Sequence, residues 1–135
     1  MKYLLDSNII SFWARKSHPA LATRMLATSP ADLSTSVLVE YELRYGFARN
    51  PAVKSWPIIE KLLELIPSHP LTRAGANHAA ELRSALATQG SPIGPYDLLI
   101  AASAIELGAT LVTNNTPEFS RVPGLVVEDW TTHNE

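Results

Sequence analysis

Three carboxylates in this chain stand where a folded protein ordinarily avoids charge. Asp6 interrupts the apolar stretch YLLDSNIISFW over residues 3–13, between a strand-like run and a helix-like one. Glu42 falls in the segment from Ser36 to Arg49. At 100° per residue it aligns with Leu38, Val39, Tyr45 and Gly46, a face that should be buried. Glu40 and Arg44 fall on the opposite side as an ordinary i, i+4 surface pair. Asp97 opens YDLLIAASAIEL and aligns with Ile100, Ala101, Ala104 and Ile105, with Glu106 on the far side.

Each acid also has a structural explanation. Asp6 can cap the helix that follows it, and Asp97 can favour a helix N-terminus through the dipole. Glu42, in mid-helix, would need an Arg partner. Taken together, three like charges in apolar settings require something positive between them. Carboxylate donors in a chain with no cysteine, whose histidines at 18, 69, 78 and 133 are scattered, suit Mg²⁺ or Mn²⁺ rather than zinc. Sites of that kind serve phosphoryl chemistry.

The elements that must position these residues follow from periodicity and punctuation. Lys2–Leu5 reads as a first strand, followed by a helix over Ser7–Lys16 and another after Pro19. A second strand is expected over Ala31–Ser34, and Ser36 can cap a helix to Arg49, ended by Pro51. Val53–Leu65 repeats apolar residues at helical spacing. Ile66–Leu71, broken by Pro67 and Pro70, is a weak strand or loop. Arg73–Gln89 reads as a helix closed by Gly90, and Tyr96–Leu107 as another before Gly108. Thr110–Thr113 is a strand, 114–124 a loop and Leu125–Glu128 a last strand. Strands alternating with helices predict an α/β fold, a parallel sheet with helices on both faces. In such sheets ligands bind beyond the carboxyl ends of the strands, which is where Asp6 lies.

Composition sets the frame. A chain of 135 residues, 46% hydrophobic and 18% charged, fits one domain over residues 1–135 with a core of its own. No apolar run approaches the roughly 18 residues of a membrane span, and no signal-type N-terminus is present. The absence of cysteine suits a reducing compartment and points to the cytoplasm. A formal charge of −2 argues against bulk electrostatic gripping of nucleic acid. It is compatible with an acid-rich site surrounded by local cations, for which Arg15, Lys16, Arg44, Arg49 and Arg121 are candidates, each also readable as a solvated surface residue.

Four blocks in order, LLDSN, SVLVEYELRYG, GSPIGPYDLLIAASAIELGATLVTNN and TPEFSRVPGLVVEDW, resemble the PIN-domain ribonucleases and specifically the VapC toxins of bacterial toxin–antitoxin pairs. The resemblance spans nearly the whole chain and implies a PIN-like α/β/α fold. Asp6, Glu42 and Asp97 match the family's first three acidic metal-site positions. The fourth falls in NNTPEF, where the family often has Asp before Phe and this chain has Glu118, with Asn115 nearby as the other candidate. Ser7 stands where Thr is common, and the hydroxyl is retained. Asn8 also matches, as an orienting group for Asp6 or as a helix-start residue.

The resemblance further implies a Mg²⁺-dependent endoribonuclease acting on structured RNA such as tRNA or ribosomal RNA, a VapB-type antitoxin whose tail covers the site, and a homodimer. Tyr45 and Tyr96 flank site positions and could stack a base, although core packing is their ordinary role. Two other functions compete. An aspartyl phosphatase would also begin with a strand ending in Asp, but carries a second Asp two residues later, where this chain has Asn8. A binding module could offer the same carboxylates to a basic partner segment. Phosphoenzyme trapping and metal-dependent RNA cleavage separate the three.

Overall fold

The computed structural model describes residues 2–132; His133 lies outside them. In chain order the elements are β1 (Tyr3–Leu5), α1 (Ser7–Arg15), α2 (Pro19–Ala27), β2 (Leu33–Ser36), α3 (Val37–Arg49) and α4 (Trp56–Leu65). They continue with β3 (Ser68–His69), α5 (Arg73–Thr88), α6 (Pro95–Leu107), β4 (Thr110–Val112), α7 (Thr116–Phe119) and β5 (Val127–Glu128). The strands form one parallel sheet in the order β3-β2-β1-β4-β5, flanked by helices as expected. The chain builds outward from β1 to β3, then crosses back to place β4 on the other side of β1. The strand order therefore reverses between β1 and β4, and a crevice opens at their carboxyl ends.

The central strands are apolar and buried: Leu4, Leu5, Leu111 and Val112 are fully covered. Helix α6 packs closely because its inward residues are small. Ile100, Ala101 and Ala104 have no exposed surface, which allows a near backbone approach. Gly108 ends that helix in the left-handed conformation, φ 65°, a geometry that glycine adopts without cost.

Five expected boundaries move. The second strand lies at 33–36 instead of 31–34, because Ser29 and Pro30 start a short 3₁₀ turn over Pro30–Asp32. Its LSTS sequence is buried although polar, since the Ser34 and Thr35 hydroxyls donate to the carbonyls of Tyr3 and Leu5 at 2.8 and 2.9 Å. The helix expected from Val53 starts at Trp56, after the turn that follows Pro51. The weak segment at 66–71 supplies β3, a short edge strand paired with β2. The region 114–124 is not wholly a loop, because Thr116–Phe119 forms one turn of helix with Phe119 buried beneath it, and the last strand shortens to Val127–Glu128.

Candidate active site

Asp6 follows β1 directly, at the point where the strand order reverses. It is 6% exposed, and its side chain accepts the Ser7 amide at 2.7 Å and the Thr113 hydroxyl at 2.9 Å. Asp6 therefore caps α1 as well as lying in the crevice; the two roles coexist. Thr113 follows β4 just as Asp6 follows β1, is fully buried, and also accepts the Asn115 amide at 3.0 Å. It fixes the Asp6 carboxylate and the following turn together.

Ser36, at the end of β2, caps α3 by accepting the Val39 amide at 3.2 Å. Glu42 lies in the second turn of that helix. The buried positions of α3 are Val39 and Leu43, whereas Tyr45 and Gly46 are exposed. Glu42 thus borders the core stripe and faces the crevice, rather than lying in the middle of an apolar face as its helical alignment suggests. Its Oε1 atom is nevertheless buried with no hydrogen-bond partner. An orphaned buried carboxylate oxygen is costly and needs a ligand, a proton or a cation to satisfy it.

Asp97 sits in the first turn of α6, half-buried. Glu118 reaches it from α7, and its own position is set by two donors, the Gly94 amide at 2.9 Å and the Asn115 side-chain amide at 2.6 Å. The glutamate carboxylate lies against Asp97, and the Asn115 side chain donates to that glutamate. Asn8 turns its side-chain amide toward Asn114 at 3.5 Å rather than toward Asp6. Ser7, whose amide donates to Asp6, lowers the carboxyl pKa of both Asp6 and Glu42.

Electrostatics tie the four acids into one cluster. Burial raises the carboxyl pKa of Asp6 and of Glu42, and each is raised further by an acidic neighbour, Glu118 and Asp6 respectively. Asp97 is pushed up to about 7 by burial and then by the charges of Glu118, Asp6 and Glu42. Glu118 moves the other way, held low chiefly by the Gly94 amide. In the pair, the proton belongs on Asp97, because Glu118 has the donors.

The donor set is all oxygen, with three raised carboxyls and an unsatisfied buried oxygen, and it fits a hard divalent cation. Among the described residues no three acids or histidines are gathered closely enough to enclose an ion unaided. An ion held here would keep part of its water shell, as Mg²⁺ usually does.

Of the remaining candidates, Arg44 is paired with Glu40 at 2.7 Å, the surface pair its spacing predicts. Arg121 donates to the Pro92 carbonyl at 2.8 Å and braces the loop before α6. Tyr45 and Tyr96 are not core residues: they are 55% and 51% exposed and both contact the ring of Tyr41. The outward faces of the two acid-bearing helices meet there instead of packing inward. Sequence reasoning missed Thr113 and Gly94. Thr113 carried a usable signal, a polar side chain ending an apolar strand, as Asp6 does; Gly94 acts through its backbone and carried none.

Thr113→Val, which keeps the shape and removes the hydroxyl, is expected to destabilise the fold by about 1–3 kcal/mol by stranding buried groups. It should also slow any reaction that depends on the Asp6 carboxylate, by on the order of 10-fold. Thr113→Ser should retain both properties. Chemical denaturation and cleavage assays on the two variants check this.

The fold is a parallel α/β sheet, with Asp6, Glu42, Asp97 and Glu118 bordering the crevice at its switch point. A PIN domain match covers residues 3–125. The chain is 36% identical over 131 residues to the tRNA(fMet)-specific endonuclease VapC of Shigella flexneri, covering 96% of this chain and 98% of the relative. It superposes on the VapBC2 structure from Rickettsia felis, solved bound to a promoter DNA fragment, with a TM-score of 0.87 and 31% identity over 96% of this chain and 99% of that one. The VapBC-1 structure from nontypeable Haemophilus influenzae gives 0.83 and 34%, over 98% and 100%. The chain belongs to the PIN-domain family, among its VapC ribonucleases.

Proposed function

We propose that this protein is a Mg²⁺-dependent endoribonuclease toxin that cleaves structured RNA, with tRNA as the substrate class, and that a VapB-type antitoxin holds it inactive in the cytoplasm. The observation that carries the reading is the cluster of Asp6, Glu42, Asp97 and Glu118, with the buried Oε1 of Glu42 lacking any partner. The tRNA assignment draws on the Shigella relative, whose name specifies tRNA(fMet).

Asp6, Glu42 and Asp97 would hold the ion, with Glu118 completing the set; Mn²⁺ would serve in its place. A bound Mg²⁺ supplies charge stabilisation at the scissile phosphate and lowers the pKa of attacking water. The chain's own residues position and dehydrate. Thr113 and the Ser7 amide fix Asp6, while Gly94 and Asn115 fix Glu118. Asp97 must give up its proton before it can act as a ligand.

For the partner, the surface offers an apolar groove of about 530 Å³ between α2 and α4, lined by Met25, Leu26, Leu33, Ile58, Leu62 and Leu65. Leu26 is 90% exposed there, an arrangement typical of a surface that another protein covers. Both structural relatives above were solved as VapBC assemblies.

Sequencing RNA ends after brief expression of the chain alone tests the reading. The expected result is new ends concentrated at one site in one or a few tRNAs, suppressed by co-expression of the antitoxin. An end profile identical to that of an Asp6→Asn control would overturn it.

A further inference from the structure

An acid-rich site repels RNA, so a substrate strand needs cations near it, and the net charge of −2 means they must be placed locally. The structure divides the five basic candidates, of which Arg49 is exposed and lines neither space described below. Arg44 is used by Glu40 and lies over Trp56 at 5.7 Å, and Arg121 is used by the Pro92 carbonyl. Arg15 and Lys16, at the end of α1, are exposed, and the Arg15 guanidinium stands 5.4 Å over the Phe12 ring. Lys54, in the turn between α3 and α4, was not signalled by any local pattern, yet it joins them. All three line one hollow of about 420 Å³, together with Ala14, Val53, Ser55 and Ile58.

That hollow adjoins a cleft that reaches one acid of the site, Glu42. The cleft, of about 260 Å³, shares Arg15, Val53 and Ser55 with it. Its polar lining is Ser7, Asn8, Ser11 and Asn50, over an apolar floor that includes Phe47 and Trp56. Among the described residues, Glu42 is the sole acid lining either space. The surface therefore passes from carboxylate, through neutral hydroxyls and amides, to three cations, over the roughly 14 Å that α1 rises between Ser7 and Lys16.

We propose that the RNA strand follows this track. The scissile phosphate lies at the carboxylates, the sugar-phosphate backbone passes along α1 over Ser11, and phosphates beyond the scissile one are held by Arg15, Lys16 and Lys54. The hydroxyls and amides between them suit sugar and phosphate oxygens, and the cations supply the sequence-independent part of binding. The proposal rests on the ribonuclease reading for its substrate, and on charge and shape for its path. Basic residues ending a helix also complement its dipole, a purely structural role that the test separates.

The test measures binding of bulk tRNA across a range of salt concentrations by the Asp6→Asn protein, which holds RNA without cutting it, with and without Arg15→Gln and Lys54→Gln together. The expected result is on the order of 10-fold weaker binding near 0.15 M salt, and a slope of log affinity against log salt reduced by about one to two. Melting temperature should stay the same. Arg15→Lys should restore most of the affinity, and Arg83→Gln, on α5 away from the track, should change neither quantity. An unchanged salt slope in the double variant, or an equal loss from Arg83→Gln, would overturn the track; so would weaker binding accompanied by a lower melting temperature that Arg15→Lys does not repair. Cleavage of the same tRNA by the Asp6 protein, assayed in parallel, tests the ribonuclease reading separately, since the track can bind RNA whether or not the chain cuts it.

Discussion

Asp6→Asn, Glu42→Gln and Asp97→Asn are each expected to lower RNA cleavage by on the order of 100-fold or more while the protein stays folded. The three substitutions keep volume and delete charge, so they change what the cluster can hold without opening a cavity. Each acid is part of its neighbours' electrostatic environment: Asp97 is raised by Glu118, Asp6 and Glu42, and Glu42 by Asp6. Removing one charge from such a set weakens cation binding as well as the geometry around the phosphate. Glu118→Gln should cost less, because it accepts from Gly94 and Asn115 and its role is shared with the scaffold that fixes it. Loss of growth inhibition on expression, with an unchanged circular dichroism spectrum, is the readout. Near wild-type toxicity in any two of the first three variants would remove them from the reaction.

The second large effect is a dependence of stability on pH that the cation should cancel. The Asp97 carboxyl titrates at about 7 in the folded protein, against about 4 in an unfolded chain. A raised folded value means the native state binds the extra proton. Its stabilisation is complete below about pH 4 and is lost as pH climbs to about 7. Asp6 and Glu42 are raised in the same sense and add to the loss. Glu118 is lowered, so its contribution has the opposite sign and disappears at acid pH, below that window.

At pH 8 the cation-free cluster is therefore strained, first by burial of its charges and then by their repulsion. Asp97→Asn should melt higher than wild type in EDTA. Because Asp97 is only half-buried, solvent screening keeps the gain modest, on the order of 3 °C. Mg²⁺ should stabilise wild type more than the variant, because it binds the native site alone. Since the ion and the Asp97 proton compete, the half-saturating Mg²⁺ concentration should rise as pH falls below 7. Thermal melting at pH 6 and pH 8, with and without Mg²⁺, reads all three effects. A lower melting temperature for Asp97→Asn in EDTA would make Asp97 a structural residue of the α6 N-terminus.

Much of this site is legible in the sequence because its chemistry contradicts its surroundings. Asp6 stands out since a carboxylate at the end of an apolar strand has no packing purpose, and the parallel order of elements says where strand ends point. Asp97 stands out because the rest of its helix face is largely small and apolar; Ile100, Ala101 and Ala104 on that face are fully buried and Ile105 is partly so. Glu42 was found on a partly different basis from the one the structure supplies. Its helix turns Tyr45 and Gly46 to solvent, so the acid is marked by its unsatisfied oxygen and not by the face it shares.

What was not legible depends on contacts distant in sequence. The strand expected at 31–34 lies at 33–36, and its polar LSTS sequence is accommodated because the Ser34 and Thr35 hydroxyls meet the carbonyls of β1. The contact of Glu118 with the Gly94 amide and the Asn115 side chain depends on the α7 turn, which no local pattern announces. Lys54 looks like any loop lysine until the α3–α4 connection folds back against the end of α1.

The central claim, that these carboxylates form a cation-dependent ribonuclease site, is tested most directly by single-turnover cleavage of tRNA with purified protein. Wild type and Glu42→Gln would be compared at pH 8 after stripping with EDTA and again after adding Mg²⁺. The account predicts no cleavage by either protein in EDTA, and cleavage at a defined position by wild type alone once Mg²⁺ is restored. Cleavage by wild type in EDTA at its full rate, or equal cleavage by Glu42→Gln in Mg²⁺, would contradict it.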